Sequence, residues 1–204
     1  MSPRATDFAD WVFQRTNPGY RRPEPSEFGM PLLRLGKMDH ERISQFFATS
    51  RGRSNLSDSN SNNWTLVFAD DQGDENSKTF DASRLSVKGQ FLRCKPDCVL
   101  KHKSTGEIII IERKTTFIPN ERIPDSGWPN VEAQLWCYSW VDDWYYAPRV
   151  TLVQQYWIRQ KRSGLSLHHN QPVLLRNDQA HERRCADWFR AYGGEVSIGC
   201  SGQK

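Results

Sequence analysis

The stretch KPDCVLKHKSTGEIIIIERK, residues 95–114, sets two apolar runs on either side of the turn-forming KSTG. Short apolar runs joined in this way predict an antiparallel β-hairpin. The second run, four isoleucines at 108–111, leads straight into Glu112, Arg113 and Lys114, three charges where burial should be ending. With the turn placed between Ser104 and Thr105, Asp97 stands opposite Glu112, and facing side chains lie about 4.5–5.5 Å apart at Cβ. Strand alternation adds Lys114 to that face and turns Arg113 to the other. The buried strand is therefore expected to deliver Asp97, Glu112 and Lys114 to one surface.

Two carboxylates about 5 Å apart repel by about 3 kcal/mol at an effective dielectric of about 20. A shared proton would offset this, Lys114 would do so in part, and a divalent cation would do so best. Mg²⁺ favours one or two carboxylates completed by water and substrate phosphates. A cation beside a lysine suits phosphodiester hydrolysis: the metal polarises the phosphoryl oxygen and acidifies a water, while the ammonium orients that water or stabilises developing charge. The competing reading is a salt-bridge ladder at a sheet edge.

Upstream, TDFADWVFQR (6–15) predicts a short amphipathic helix capped by Thr6, with Phe8, Trp11 and Val12 on one face. The proline-rich run that follows must be irregular. A second helix is expected over 38–49, with Asp39 as cap and Ile43, Phe46 and Phe47 packing, then a polar loop over 50–63. WTLVFA (64–69) reads as a strand, and the chain after the acidic loop is extended over 79–94. Downstream of the hairpin, 129–146 has helical spacing with Asn130 as cap after Pro129, two or three strands follow over 149–175, and 177–194 is a capped helix ending in a glycine pair. Helices and strands without strict alternation predict an α+β (mixed α/β) fold. The 204 residues fit one domain, with an N-terminal helix and Pro-rich segment at 1–35, a core at 36–192 and a tail at 193–204.

PD at 96–97, fourteen intervening residues and ERK at 112–114 resemble the motif of the PD-(D/E)XK nuclease superfamily. Gln134 and Tyr138 in QLWCY resemble the QxxxY motif of its RecB-like and lambda-exonuclease-like branch, on a helix where i and i+4 share a face. GKMDHE is similar to that branch's GxxxH segment, which maps onto Gly36 and His40, with Glu41 as an alternative upstream acid. The resemblance spans about residues 36–140. It implies a restriction-endonuclease-like core, a central mixed sheet flanked by helices, and a Mg²⁺- or Mn²⁺-dependent deoxyribonuclease yielding 5′-phosphates. Asp97 and Glu112 would hold the ion with the Arg113 backbone carbonyl and His40 or Glu41, and Lys114 would act on the attacking water. Gln134 and Tyr138 would line the site and help position DNA or a catalytic group. Packing of that helix face on the sheet is the simpler alternative. Some members of the branch carry an iron–sulfur cluster, but the cysteine order here does not match, so none is expected.

The net charge of +4 permits a polyanionic partner without establishing one. DNA is the expected partner, with RNA also open, and Arg51, Arg53, Lys101, Lys103, Arg113, Lys161 and Arg162 are candidates to track phosphates. Trp128, Trp136, Trp140 and Trp144 have core spacing, with base stacking as the alternative. His168 and His169, adjacent on a strand, point to opposite faces and read as structural. Five cysteines, an odd count without an export signal, argue against a disulfide framework, and the lack of a long apolar run argues against a membrane span, so a cytoplasmic protein is expected. The other functions compatible with these features are a catalytically silent nucleic-acid-binding or protein-interaction module and a nuclease subunit of a defence, mobile-element or toxin system. The latter would need a protein partner or a homo-oligomer.

Overall fold

The computed structural model describes residues 2–19, 43, 63–70, 78–116, 122–160 and 164–197, with 159–160 and 164–175 as backbone. In chain order its elements are α1 (Ala5–Thr16), β1 (Trp64–Ala69), β2 (Phe80–Val87), β3 (Gln90–Cys94), β4 (Cys98–His102), β5 (Ile108–Thr116), α2 (Pro129–Ser139), β6 (Val150–Gln160), β7 (Gly164–Leu175), α3 (Gln179–Ala191) and β8 (Gly194–Val196). A five-stranded sheet runs β1-β4-β5-β6-β7 and a three-stranded sheet runs β3-β2-β8. Every pairing is antiparallel except β5 with β6, so the larger sheet is mixed and the fold is α+β. A parallel pair needs a crossover, which contains α2.

The hairpin register is the expected one: Cys98 pairs with Ile111, Val99 with Ile110, Leu100 with Ile109 and Lys101 with Ile108. The isoleucines divide between two faces. Ile108 and Ile110 join the main core with all three helices, whereas Ile109 and Ile111 pack with Cys98, Leu100 and Val153. Burial on both faces explains why β5 reads as a continuous apolar run rather than an alternating one.

Both earlier helices start away from the predicted caps. α1 begins after Arg4, not Thr6, because Asp7 Oδ2 accepts the Arg4 N–H at 3.1 Å and fixes the start two residues earlier. α2 begins after Trp128, with Pro129 as its first residue and Asn130 inside the helix; proline lacks the N–H that would be unsatisfied there. Gly127, just before, has φ +71°, and a Cβ at that position would overlap the Gln154 side-chain amide. α3 is capped as expected, by Asp178 Oδ1 accepting from Ala180 N at 2.9 Å and His181 N at 3.0 Å.

Phe8 of α1 meets Phe189 of α3 at 5.2 Å and Trp136 of α2 at 6.3 Å between ring centroids, so one aromatic cluster joins the three helices. Trp136, Trp140 and Trp144 are buried core residues, while Trp128 is half-buried against Tyr156. Residues beyond both boundaries drawn for the core share it. α1 buries Ala5, Phe8 and Val12, and β8, read from sequence as tail, pairs with β2 through Leu85–Val196 and its neighbours. Of the helix expected over 38–49 only Ile43 is described, helical and buried; almost all of the 50–63 loop and most of the acidic loop lie outside the described residues. No helix among the described residues is long and apolar enough to cross a membrane.

Candidate active site

Carried one residue past the paired ladder, the β4–β5 register sets Asp97 opposite Glu112. Both are buried, and Asp97 Oδ2 accepts the Arg113 backbone N–H at 2.6 Å, which fixes the first carboxylate to the strand bearing the second. Lys114 Nζ donates to Glu112 Oε1 at 2.6 Å and to Gln134 Oε1 at 3.3 Å. Gln134 Nε2 donates to Tyr138 Oη at 2.5 Å, and the Tyr138 hydroxyl donates to the Lys95 carbonyl at 2.9 Å. This chain of hydrogen bonds runs from β5 through one face of α2 to the residue two before Asp97. Gln134 thus bonds Lys114 directly, and Tyr138 bonds both Gln134 and the Lys95 carbonyl.

These side chains line a cleft of about 680 Å³, walled on one side by Ser2, Arg4 and Thr6 at the start of α1 and by Arg93 and Lys95 near the end of β3. Glu112 is only 3% exposed, yet its Oε2 has no hydrogen-bond partner among the described residues. Burial, reinforced by the Asp97 charge and moderated by Lys114, pushes the Glu112 carboxyl up to about 8. Burial pulls Lys114 down, but the charges of Glu112 and Asp97 outweigh it and hold the ammonium above its ordinary range. Burial first, then the same two carboxylates, raise Tyr138 well above a free phenol, so it stays a donor.

The structure adds a third acid that sequence reading missed. Ala69 pairs with Cys98, so Asp70 follows β1 to a place beside Asp97, and its N–H donates to the Asp97 carbonyl at 2.9 Å. Asp70 is buried and lines the cleft with Lys95 Nζ 2.9 Å from its Oδ1. Strands are spaced about 4.8 Å apart. Asp70, directly after β1, is therefore about two strand spacings from Glu112 and is paired with its own lysine. The signal available in sequence was an acid directly after a six-residue strand, WTLVFAD, but its value depended on the non-local β1–β4 pairing.

Other expected contacts lie elsewhere. Lys101 and Lys103 are exposed at the turn end of the hairpin, about 13–20 Å along the strand from Asp97 at roughly 3.3 Å per residue, so they are outside the cleft. Arg113 is fully buried on the opposite sheet face and cannot track phosphates at the surface. His40, Glu41, Arg51, Arg53, Lys161 and Arg162 lie outside the described residues.

No family model and no curated protein matches this chain. Among solved structures, one titled "Crystal structure of SSO0001" aligns at 18% identity with a TM-score of 0.40, covering 93% of this chain and 75% of that one.

Proposed function

We propose that the chain is a divalent-cation-dependent nuclease that hydrolyses DNA phosphodiester bonds on a restriction-endonuclease-like core of the PD-(D/E)XK kind. The observation that carries this reading is Glu112 Oε2, buried without a partner among the described residues, beside a second carboxylate in an open cleft. A buried charge left in that state is costly unless a cation completes it. The order of hairpin, helix and parallel strand supports the proposed core, because it sets both acids and Lys114 against the helix bearing Gln134 and Tyr138.

The donor set fits Mg²⁺ or Mn²⁺: two carboxylates of hard oxygen, with cleft space for water and a phosphate. Asp97 and Glu112 would hold the ion, with the Arg113 carbonyl as a further oxygen on the same strand end, and His40 or Glu41 remain the proposed upstream ligands. Once bound, the ion polarises the phosphoryl oxygen and lowers the pKa of a water. Lys114 has two of its three donor directions taken by Glu112 and Gln134 and turns the third to the attacking water or a phosphate oxygen. Gln134 prevents the ammonium from collapsing wholly onto Glu112. Tyr138, by holding the Lys95 carbonyl, fixes the approach of the chain to Asp97. Arg93 and Lys95 give the cleft wall positive charge with which to meet a nucleic-acid backbone.

The test is to incubate linear and closed-circular DNA, and RNA beside them, with purified protein in Mg²⁺, in Mn²⁺ and in chelator, with Lys114→Ala as control. Metal-dependent cutting of DNA that is lost in the variant supports the proposal, and cutting of the linear form alone makes the enzyme an exonuclease. Folded protein that cuts nothing under any of these conditions would overturn it in favour of a binding module.

A further inference from the structure

A second group of metal-ligating side chains lies between α2 and α3. Glu132 of α2 sits two positions before Gln134, about 200° around the helix and so on the side away from the cleft. His181 and Cys185 of α3, one turn apart, face it. His181 Nδ1 is 2.9 Å from Glu132 Oε1 and 3.7 Å from Cys185 Sγ, and the three donor atoms all lie within 4.8 Å of one another. All three residues are buried, His181 to 1% exposure.

Hydrogen bonds alone leave this group unbalanced. His181 Nε2 is buried with no partner among the described residues. A proton on Nδ1 serves Glu132 but leaves the Cys185 thiol facing another donor. A proton on Nε2 instead turns the Nδ1 lone pair against a carboxylate oxygen. A cation at the common centre is ligated by a Glu132 oxygen, His181 Nδ1 and the Cys185 sulfur together, which removes the conflict at Nδ1 and leaves the ring proton on Nε2. We propose that Glu132, His181 and Cys185 form a binding site for a divalent cation of the zinc class, which braces α2 against α3 behind the candidate active site.

The mix of oxygen, nitrogen and sulfur donors selects a borderline-soft ion over Mg²⁺. Ligands about 2.0–2.3 Å from a four-coordinate zinc are separated by about 3.3–3.8 Å. The observed 2.9 and 3.7 Å therefore need only small adjustments. The second Glu132 oxygen or a water completes the fourth position. On binding, the Cys185 S–H bond breaks, sulfur ligates the ion and the proton leaves to solvent. Arg184, which donates to Glu132 Oε1 in this structure, has a side chain 45% exposed and can turn outward as the ion takes over its charge.

The test uses the full chain, stripped of metal and titrated with Co²⁺ as a spectroscopic probe. The expected result is one equivalent with a thiolate-to-cobalt charge-transfer band and tetrahedral ligand-field bands, displaced by Zn²⁺. These should persist in Glu112→Gln, which alters only the cleft, and be lost in Cys185→Ser. Zn²⁺ should also raise the melting temperature of the wild type and not that of Cys185→Ser. Folded wild-type protein with no thiolate–cobalt band would overturn the proposal without recourse to any variant, as would a band unchanged in Cys185→Ser. Neither outcome depends on DNA cutting, so this site and the nuclease reading can fail separately.

Discussion

Glu112 and Glu132 are buried to nearly the same degree, 3% and 4% exposed, and their surroundings answer the charge in opposite ways. Arg184 and His181 converge on one oxygen of Glu132. Among the described residues, Glu112 has one ammonium on Oε1, a second carboxylate alongside and no partner for Oε2. Glu132 sits between two helices among mixed oxygen, nitrogen and sulfur donors, whereas Glu112 opens to a cleft it shares with Asp97, Asp70 and several cationic side chains. Depth of burial therefore does not by itself distinguish the two acids. The balance of charge and the kind of donor atoms nearby do, and they also set which cation each place would prefer.

The sharpest way to break this contrast is Lys114→Ala. Cutting should fall about 10²–10⁴-fold, the range for losing a group that acts on a proton or developing charge in the transition state. The melting temperature should move by no more than about 4 °C, roughly 1 kcal/mol for a chain of this size. Initial rates on linear DNA with a thermal melt beside them decide it, and undiminished cutting would remove the cleft from the chemistry.

A pH series sharpens the contrast next. The Glu112 carboxyl is raised, so between about 4.5 and about 8 the folded state keeps a proton that the unfolded chain has released. Cation-free protein should therefore lose stability as pH rises through that window. Denaturant titrations should show Glu112→Gln flattening the slope and gaining on the order of 1–3 kcal/mol over wild type near its upper end. A wild-type profile that is flat without cation would mean Oε2 already has its counter-charge.

Tyr138→Phe removes the hydroxyl between Gln134 and the Lys95 carbonyl. About 1–1.5 kcal/mol of stability should go with it, and about tenfold in kcat if Gln134 then lets Lys114 shift. A loss of stability with an unchanged kcat would make the tyrosine a packing residue alone. The smallest effect is expected from Lys101→Ala with Lys103→Ala, at less than about 0.5 kcal/mol in stability. The dependence of DNA affinity on salt should also be unaltered. A slope reduced by about one per lysine would bring phosphates to the turn end of the hairpin.

What could be read in the sequence was local. KSTG fixes the turn, the turn fixes the register, and the register alone puts Asp97 against Glu112 and Lys114 beside them. WTLVFA was legible as β1 for the same reason. Asp70 was not, because β1 meets β4 across a long separation and through a shift of register between Leu66 and Phe68. The Glu132–His181 contact likewise depends on how α2 and α3 pack, which no spacing within either helix encodes. Arg113 was a candidate to track phosphates, but it is fully buried on the same face of β5 as Ile109 and Ile111, a burial that strand alternation alone does not reveal. At Trp128 and Pro129, backbone chemistry outweighed the better side-chain cap one residue on.

Every donor in the chain from Lys114 through Gln134 and Tyr138 points the same way, toward the Lys95 carbonyl. A carbonyl has no proton to send back, and an amide does not pass one along. The network is therefore an anchor and not a wire: it can hold the ammonium in place but cannot refill it. Among the described residues, the proton partner left to Lys114 is Glu112, 2.6 Å away, so any proton the lysine exchanges passes by that carboxyl or directly by way of the cleft.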